Sequence, residues 1–283
     1  MTLGQIYRQG KCVLDRAGNE SPGFDADCLF QKAFGFDRQE RVMHSNDSAD
    51  DELAHDYLGD VNERASGRPL QYILGQWPFM GLELKVGEGV LIPREETELL
   101  VHTAARLLDG SAEPKVLDLC AGTGAVALGL ASLLPCARIT AAELYDEAFS
   151  YLERNIKETG FQNVTAFRMD VLNPQSARQI SALNCIVSNP PYVERSELPI
   201  LQPEVQMEPR TALDGGVDGL DFYCAIAQIW LPKLEQGGVA AVEVGEGQAS
   251  AVAKMLESAG LAQIQIYRDF NELERVVAGI WKK

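Results

Sequence analysis

The sequence predicts an α/β fold, a mostly parallel sheet preceded by a helical bundle. Three observations predict it. Short apolar runs beginning at Lys115 alternate with stretches of helical periodicity, the pattern of strands joined by crossover helices. The first of those runs opens directly into a glycine loop, Cys120-Ala121-Gly122-Thr123-Gly124. Residues 1–75, by contrast, carry helical periodicity alone.

In that leading segment Leu3, Ile6, Tyr7, Val13 and Leu14 recur at helical spacing up to Gly18. Ala26, Leu29, Phe30, Ala33 and Phe34 do so up to Gly35, and Leu53, Tyr57, Leu58, Val61 and Ala65 up to Gly67. Glycine just past the last apolar position is a common helix stop, because it takes the left-handed conformation without a Cβ penalty. Asp50, Asp51 and Glu52 open the third helix, where negative charge complements the helix dipole, and they read as capping rather than metal binding. Residues 1–75 are therefore expected to form a bundle with no catalytic constellation of its own. Trp77 to Val90 alternates apolar residues around Gly81, which predicts a β-hairpin, so residues 76–92 read as a link to the remaining part, 93–283. Pro93 is placed to open the next helix, with Glu95, Glu96 and Glu98 in its first turn.

The strands follow. Lys115 to Leu119 runs into the glycine loop, and an apolar helical pattern then extends from Val126 to Leu134, stopping at Pro135. This is the first βα turn of a nucleotide-binding sheet, where glycine lets the backbone approach a ligand. A second strand, Arg138 to Ala142, ends at Glu143, about twenty residues past the glycines, where an acid can accept hydrogen bonds from both hydroxyls of a ribose. The third, Val164 to Met169, ends at Asp170, an acid placed to meet an adenine. The fourth, Cys185 to Ser188, ends at Asn189, and the fifth, Gly238 to Val244, follows a helical segment from about Leu220 to Leu234. Ala262 to Phe270 and Arg275 to Trp281 read as an antiparallel pair closing the sheet edge. Val193 to Gly219, rich in proline and weakly periodic, reads as a lid.

Asn189-Pro190-Pro191-Tyr192 is placed at the carboxyl end of a buried strand, where open α/β sheets bind ligands. Two consecutive prolines remove two N–H donors and fix φ, so the Pro190 carbonyl can be held toward a cleft. The Asn189 side-chain carbonyl is a second acceptor, and Tyr192 offers a flat ring. Two acceptors and a ring suit a planar NH2 group, whose nitrogen lone pair is delocalised. Gripping both hydrogens turns that lone pair toward an electrophile, which is catalysis by positioning and electrostatics. A Pro-rich turn is the plain structural alternative. Gly122-x-Gly124-x-x-Ala127 also fits a relaxed dinucleotide fingerprint, so a nicotinamide oxidoreductase competes. Hydride transfer has no use for an amine clamp, whereas S-adenosyl-L-methionine needs ribose, adenine and amino-acid contacts without a pyrophosphate site. Glu143, Asp170 and the loop backbone supply them.

Along most of its length the chain resembles the release factor glutamine methyltransferases, the HemK family. The resemblance is carried by Gly67-Arg68-Pro69-Leu70-Gln71-Tyr72-Ile73-Leu74-Gly75, by Leu91-Ile92-Pro93-Arg94-Glu95-Glu96-Thr97-Glu98, by Asp118 to Gly124, by Asn189 to Tyr192 and by Glu208-Pro209-Arg210-Thr211-Ala212-Leu213. Arg268-Asp269-Phe270-Asn271 and Glu274-Arg275 match as well. Several methyltransferase families share the clamp; its combination with the Ile-Pro-Arg segment is more specific. The resemblance implies a class I methyltransferase fold, Rossmann-like with a mostly parallel seven-stranded sheet, and S-adenosyl-L-methionine as cofactor. It implies N5-methylation of the glutamine in the Gly-Gly-Gln motif of peptide chain release factors. It further implies that Cys120, Ala121, Gly122, Thr123 and Gly124, with Glu143, hold the cofactor and that Val171, beside Asp170, lies against the adenine. Asn189, Pro190, Pro191 and Tyr192 would hold the glutamine, with Asn189 also bordering the cofactor. The bundle would recognise the substrate, and Arg94 or Glu98 could meet it. One departure is Cys120, where many members have glycine. A methyltransferase acting on an exocyclic amine of a nucleic-acid base stays open as the alternative, because the clamp cannot tell that amine from an amide. An intact clamp argues against a non-catalytic adaptor.

The charge bears on partners. There are 41 acidic and 25 basic residues, a net charge of -16. Such a chain is repelled by phosphate backbones, and it has no lysine or arginine run, so direct nucleic-acid binding is not expected. Release factors with a basic surface suit it better. Cysteines 12, 28, 120, 136, 185 and 224 form no C-x-x-C pair and are expected to be reduced and buried. Histidines 44, 55 and 102 are not spaced as a metal pair, so no metal is expected. With no signal peptide and no apolar run of about 20 residues, a cytoplasmic protein without membrane association is expected.

Overall fold

The computed structural model describes residues 1–180 and 182–282. Its contacts divide the chain into two units, Met1–Gln76 with Gln202–Met207, and Trp77–Leu201 with the chain from Glu208 onward.

The first unit holds α1 (Leu3–Arg16), α2 (Pro22–Phe34), α3 (Arg38–Met43), α4 (Asp51–Ala65) and α5 (Leu70–Leu74). Side chains satisfy the first N–H groups of three helices. Thr2 and Gln5 form a capping box on α1, Asp37 and Glu40 another on α3, and Asp50 accepts from the Glu52 and Leu53 N–H groups of α4. The α3 and α5 helices lay outside the periodic segments; α3 buries none of its residues, so it leaves no apolar stripe to read. Leu14, Leu29, Phe30, Tyr57 and Val61 form the fully buried centre of the unit, with Phe30 stacked on Phe34 at 4.5 Å and edge-on to Tyr57 at 5.5 Å. Arg64 is also buried: its Nε donates to Asp25 and its Nη2 to Glu204, both at 2.6 Å. That pairing fixes Gln202–Met207 within this unit. At Gly10 of α1 a Cβ would stand 2.3 Å from the Tyr57 hydroxyl oxygen. Gly10→Val is therefore expected to destabilise the chain by about 1–3 kcal/mol through overpacking, read as a lower urea midpoint with cofactor affinity unchanged.

The second unit runs through β1 (Gln76–Phe79), β2 (Leu82–Lys85), α6 (Glu98–Leu107), β3 (Lys115–Leu119), α7 (Ala125–Leu133), β4 (Arg138–Glu143), α8 (Asp146–Thr159), β5 (Val164–Arg168), β6 (Leu183–Ser188), α9 (Asp221–Ala225), β7 (Leu234–Glu243), α10 (Ala249–Ala259), β8 (Leu261–Arg268) and β9 (Glu274–Trp281). Its seven-stranded sheet has the order β5-β4-β3-β6-β7-β9-β8, parallel from β5 to β7 and antiparallel at β9 and β8. This is the class I methyltransferase fold. Both faces are covered. Val116, Val187 and Ala241 belong to one apolar layer, Leu117, Ile186 and Ala240 to the other, which is why these strands read as continuous apolar runs. The β1–β2 hairpin packs Phe79 and Leu84 into the first of these layers.

Several expectations change here. Pro93 does not open a helix: Arg94 is extended (φ -101, ψ 144), Glu95–Thr97 forms a 3-10 turn, and α6 begins at Glu98. The helix expected to reach Leu234 is interrupted, α9 giving way to a π turn over Ile226–Trp230 and a 3-10 turn over Leu231–Lys233. β6 and β7 start earlier than read, and β9 lies inside the sheet with β8 at the edge. The segment expected to be a lid is tied at its base: the Val193 N–H donates to the Leu213 carbonyl, the Gly215 N–H returns to Val193, and Asp214 takes Arg195 and Arg210. All six cysteines are free, but only Cys185 is buried, and Cys12 and Cys136 are exposed. Among the described residues no His, Cys, Asp and Glu group could hold a metal, and no helix is long and apolar enough to cross a membrane.

Candidate active site

The chain runs outward from β3 to β4 and β5, then returns to place β6 on the other side of β3. Strand order thus reverses between β3 and β6, and the crevice at the carboxyl ends of such a pair is where open α/β sheets bind ligands. A cleft opens there, formed by the glycine loop, the ends of β4 and β5 and the turn after β6. Of the residues singled out from the sequence, Cys120, Ala121, Gly122, Thr123, Glu143, Asp170, Val171, Asn189 and Pro191 line it. Gly124, Pro190 and Tyr192 do not.

The glycine loop is shaped by left-handed backbone. Cys120, Gly122 and Gly124 have φ of 61°, 54° and 85°. A Cβ at Gly124 would also fall 2.7 Å from a Leu152 methyl, so glycine is required there twice over. At Gly122 an added Cβ would meet only Val90, at 3.8 Å, so it would project into the open cleft. Cys120 holds a conformation that favours glycine, the physical reason its position tolerates few side chains. Two side chains fasten the loop from behind. Asp118, on β3, accepts from the Ala127 N–H at 3.1 Å, and burial, with the nearby Glu143 charge, pushes its carboxyl well above the usual range. Asn155, on α8, donates to the Thr123 carbonyl at 2.9 Å and exchanges two hydrogen bonds with the Lys85 backbone.

Glu143 ends β4 and is buried. Its Oε2 accepts from the Gly122 N–H at 2.9 Å, and its Oε1 from the Leu144 and Tyr145 N–H groups at 2.7 and 3.0 Å. The acid therefore organises the loop as well as facing the cleft. Asp170 follows β5, its Oδ1 accepting from the Leu172 N–H at 2.9 Å, and the Trp230 indole N–H holds the Val171 carbonyl at the same distance.

On the opposite side, the Asn189 Nδ2 donates to the Thr97 hydroxyl at 3.1 Å. Pro190, between Asn189 and Pro191, is buried. Tyr192 was expected to face a planar substrate group. Instead its ring packs beside Gly245, where even a Cβ would come within 3.0 Å, and its carbonyl accepts from Gln248. The ring supports the turn rather than walling the cleft. Arg94 and Glu98, either of which the resemblance left open as a substrate contact, have internal partners: Arg94 pairs with the buried Glu208, which also takes the Ile92 N–H at 2.9 Å, and Glu98 accepts from the Met80 N–H. Glu208 therefore ties the Ile-Pro-Arg segment to the stretch that begins at Pro209.

Sequence reasoning missed Thr97, Asn155, Glu208 and Glu243. Glu243 ends β7, and its buried carboxyl is pushed up to about 7 by burial, against the nearby Thr97 hydroxyl, the charge of Arg275 and the Asn189 amide. Its position at a strand end, like those of Glu143 and Asp170, was the available signal.

Residues 5–75 match the PrmC N-terminal domain family, and residues 95–206 match the Methyltransferase small domain. The release factor glutamine methyltransferase of Geobacter sulfurreducens is 38% identical over 98% of this chain and 96% of its own. That of Moorella thermoacetica is 35% identical, covering 92% of this chain and 91% of its own. Among solved structures, the hMettl16 catalytic domain in complex with the MAT2A 3'UTR hairpin 6 matches with a TM-score of 0.59 at 16% identity, over 82% of this chain and 83% of that one. At that identity the likeness is one of fold alone.

Proposed function

Because the chain belongs to the release factor glutamine methyltransferase family, we propose that the cleft methylates the N5 nitrogen of a glutamine side chain, that of the Gly-Gly-Gln motif in peptide chain release factors. The observation that carries this reading is the Asn189 amide, whose NH2 end is taken by Thr97 while, among the described residues, no hydrogen bond engages its Oδ1. An acceptor left open at the edge of the cleft is what a substrate N–H needs.

S-adenosyl-L-methionine supplies the methyl group from its sulfonium. The residues present fit it. Glu143 offers carboxylate lone pairs at the cleft for ribose hydroxyls, Asp170 and Val171 border the space for an adenine, and Gly122 leaves open the volume that a side chain would fill. Asn189 Oδ1 and the carbonyl of Pro190, whose two neighbours Asn189 and Pro191 line the cleft, accept the two N–H bonds of the glutamine amide and turn its lone pair toward the methyl carbon. Pro191 walls the cleft, and Tyr192 steadies the turn. The amide nitrogen becomes acidic only as the new bond forms, so no strong base has to act beforehand. The helical unit, with no catalytic cluster of its own, is assigned to recognition of the folded substrate. The acidic chain disfavours direct contact with nucleic acid, and a cytoplasmic location suits an enzyme with this substrate.

The test is peptide mapping by mass spectrometry after incubating the protein with a release factor and isotopically labelled S-adenosylmethionine. One labelled methyl on the Gly-Gly-Gln glutamine is expected, and none when that glutamine is replaced by alanine. Labelling of DNA or RNA with none on the release factor would establish the exocyclic-amine alternative.

A further inference from the structure

An asparagine amide has nearly the same shape with its oxygen and nitrogen exchanged, so a clamp built on one must be told which end faces the substrate. If Asn189 presented its NH2, that group would meet the substrate NH2 donor to donor. The structure contains the means of choosing. Thr97 is buried on the 3-10 turn before α6, and its hydroxyl accepts from Asn189 Nδ2 at 3.1 Å. Glu243, only 2% exposed at the end of β7, follows Val242, which pairs with Ser188, so it stands beside Asn189 at the ends of neighbouring strands with its carboxyl near both Asn189 and Thr97.

We infer that Glu243 is a positioning residue for methyl transfer, its buried carboxylate acting with Thr97 to take the donor end of the Asn189 amide and leave Oδ1 for the substrate. The inference rests on the glutamine-transfer reading above. A carboxylate accepts and never donates, so the flipped amide would set oxygen against oxygen. In a buried site that mismatch is not relieved by water. Architecture alone gives little reason for this carboxyl, since its Oε2 has no well-formed hydrogen bond and an unpaired buried acceptor destabilises a fold. The groups facing it are Arg275 from β9, Glu96 from the 3-10 turn, Tyr192 from the clamp, and Tyr223 from α9, whose hydroxyl donates to the Glu243 backbone carbonyl. Arg275 is itself held by Asp269 at 2.9 Å. The acid is thus steadied by one cation and approached by one further carboxylate.

Two measurements test this. The first is a double-mutant cycle on release factor methylation. Glu243→Gln, which keeps the shape but can donate, is expected to lower kcat about 10–100-fold, with the KM for S-adenosylmethionine unchanged and the thermal midpoint not lowered. In an Asn189→Ala background the same change should have almost no further effect, because there is no amide left to orient. Equal losses in both backgrounds, or wild-type kcat in Glu243→Gln, overturn the inference. Should Glu243→Gln fail to fold, Thr97→Val takes its place in the cycle: a loss confined to the Asn189 background is expected, and equal losses or wild-type kcat overturn the inference as before. The second measurement needs no substrate, so it separates failure of this inference from failure of the proposed reaction. In 15N-labelled protein the Asn189 side-chain NH2 resonances should titrate with a midpoint of about 7 and lose that titration in Glu243→Gln. Resonances indifferent both to pH and to the substitution overturn it. Wild-type kcat should likewise fall as the pH drops through the same midpoint, because a protonated Glu243 can donate and no longer dictates the amide orientation.

Discussion

Replacing Asn189 with alanine is expected to lower methyl transfer by about 10²–10³ in kcat, with fold and S-adenosylmethionine affinity little changed. The substitution deletes one of two acceptors that orient the substrate nitrogen. Glutamine can still enter the cleft, but its lone pair stays delocalised into its own carbonyl and is no longer turned toward the methyl carbon. Among the described residues the Asn189 side chain hydrogen-bonds Thr97 alone, and the glycine loop is held by Glu143 instead, so loss of Asn189 does not unlatch the loop. Single-turnover kinetics with a release factor measures the chemical step, and calorimetry measures the cofactor. A variant with near-normal single-turnover rate would mean that the amide nitrogen is not positioned by this residue.

Replacing Glu143 with alanine is expected to weaken S-adenosylmethionine binding by about 1.5–3 kcal/mol for each charged hydrogen bond lost to the ribose. The structure adds a second route to the same loss. Glu143 also accepts from Gly122, Leu144 and Tyr145, so without it three backbone N–H groups around the cleft lose their partner. Glu143→Gln retains one acceptor oxygen and should fall between wild type and alanine. Calorimetric titration with S-adenosylmethionine decides the matter, and unchanged affinity in the alanine variant would leave Glu143 only its role in holding the loop. Nicotinamide cofactors should not bind in the same titration.

Much of the site was legible because strand ends are legible. An apolar run that stops at a polar residue marks both the end of a buried strand and the first atoms that can face a cleft, which is how Glu143, Asp170 and Asn189 could be picked out. Glu243 carries the same mark. It was passed over because Val244 continues the apolar run beyond it, so the strand end was placed one residue late. Pro93 misled for a different reason. Proline suits the first turn of a helix, but the Glu208 contacts with Arg94 and the Ile92 N–H hold this stretch extended, and nothing local records a partner so far along the chain. Tyr192 shows the limit of motif reading: the four-residue motif names the ring but not the Gly245 gap in which it packs.

The sequence by itself determined the class of the fold, the glycine loop, the acids at the ends of β4 and β5, and the Asn-Pro-Pro-Tyr turn after β6. Each rests on local rules: the period of apolar residues, the conformational freedom of glycine, and the fixed φ and missing N–H of proline. Tertiary structure alone decided how those parts are held. It placed Thr97 against Asn189 across 92 residues of chain and Asn155 against Thr123 across 32. It brought Glu243 to the same amide and set β9, the last strand of the chain, between β7 and β8. The physical reason is one of range. Backbone preference acts over a few residues and is written in their order, whereas a buried hydrogen bond between distant side chains exists only once the sheet has brought their strands and turns together.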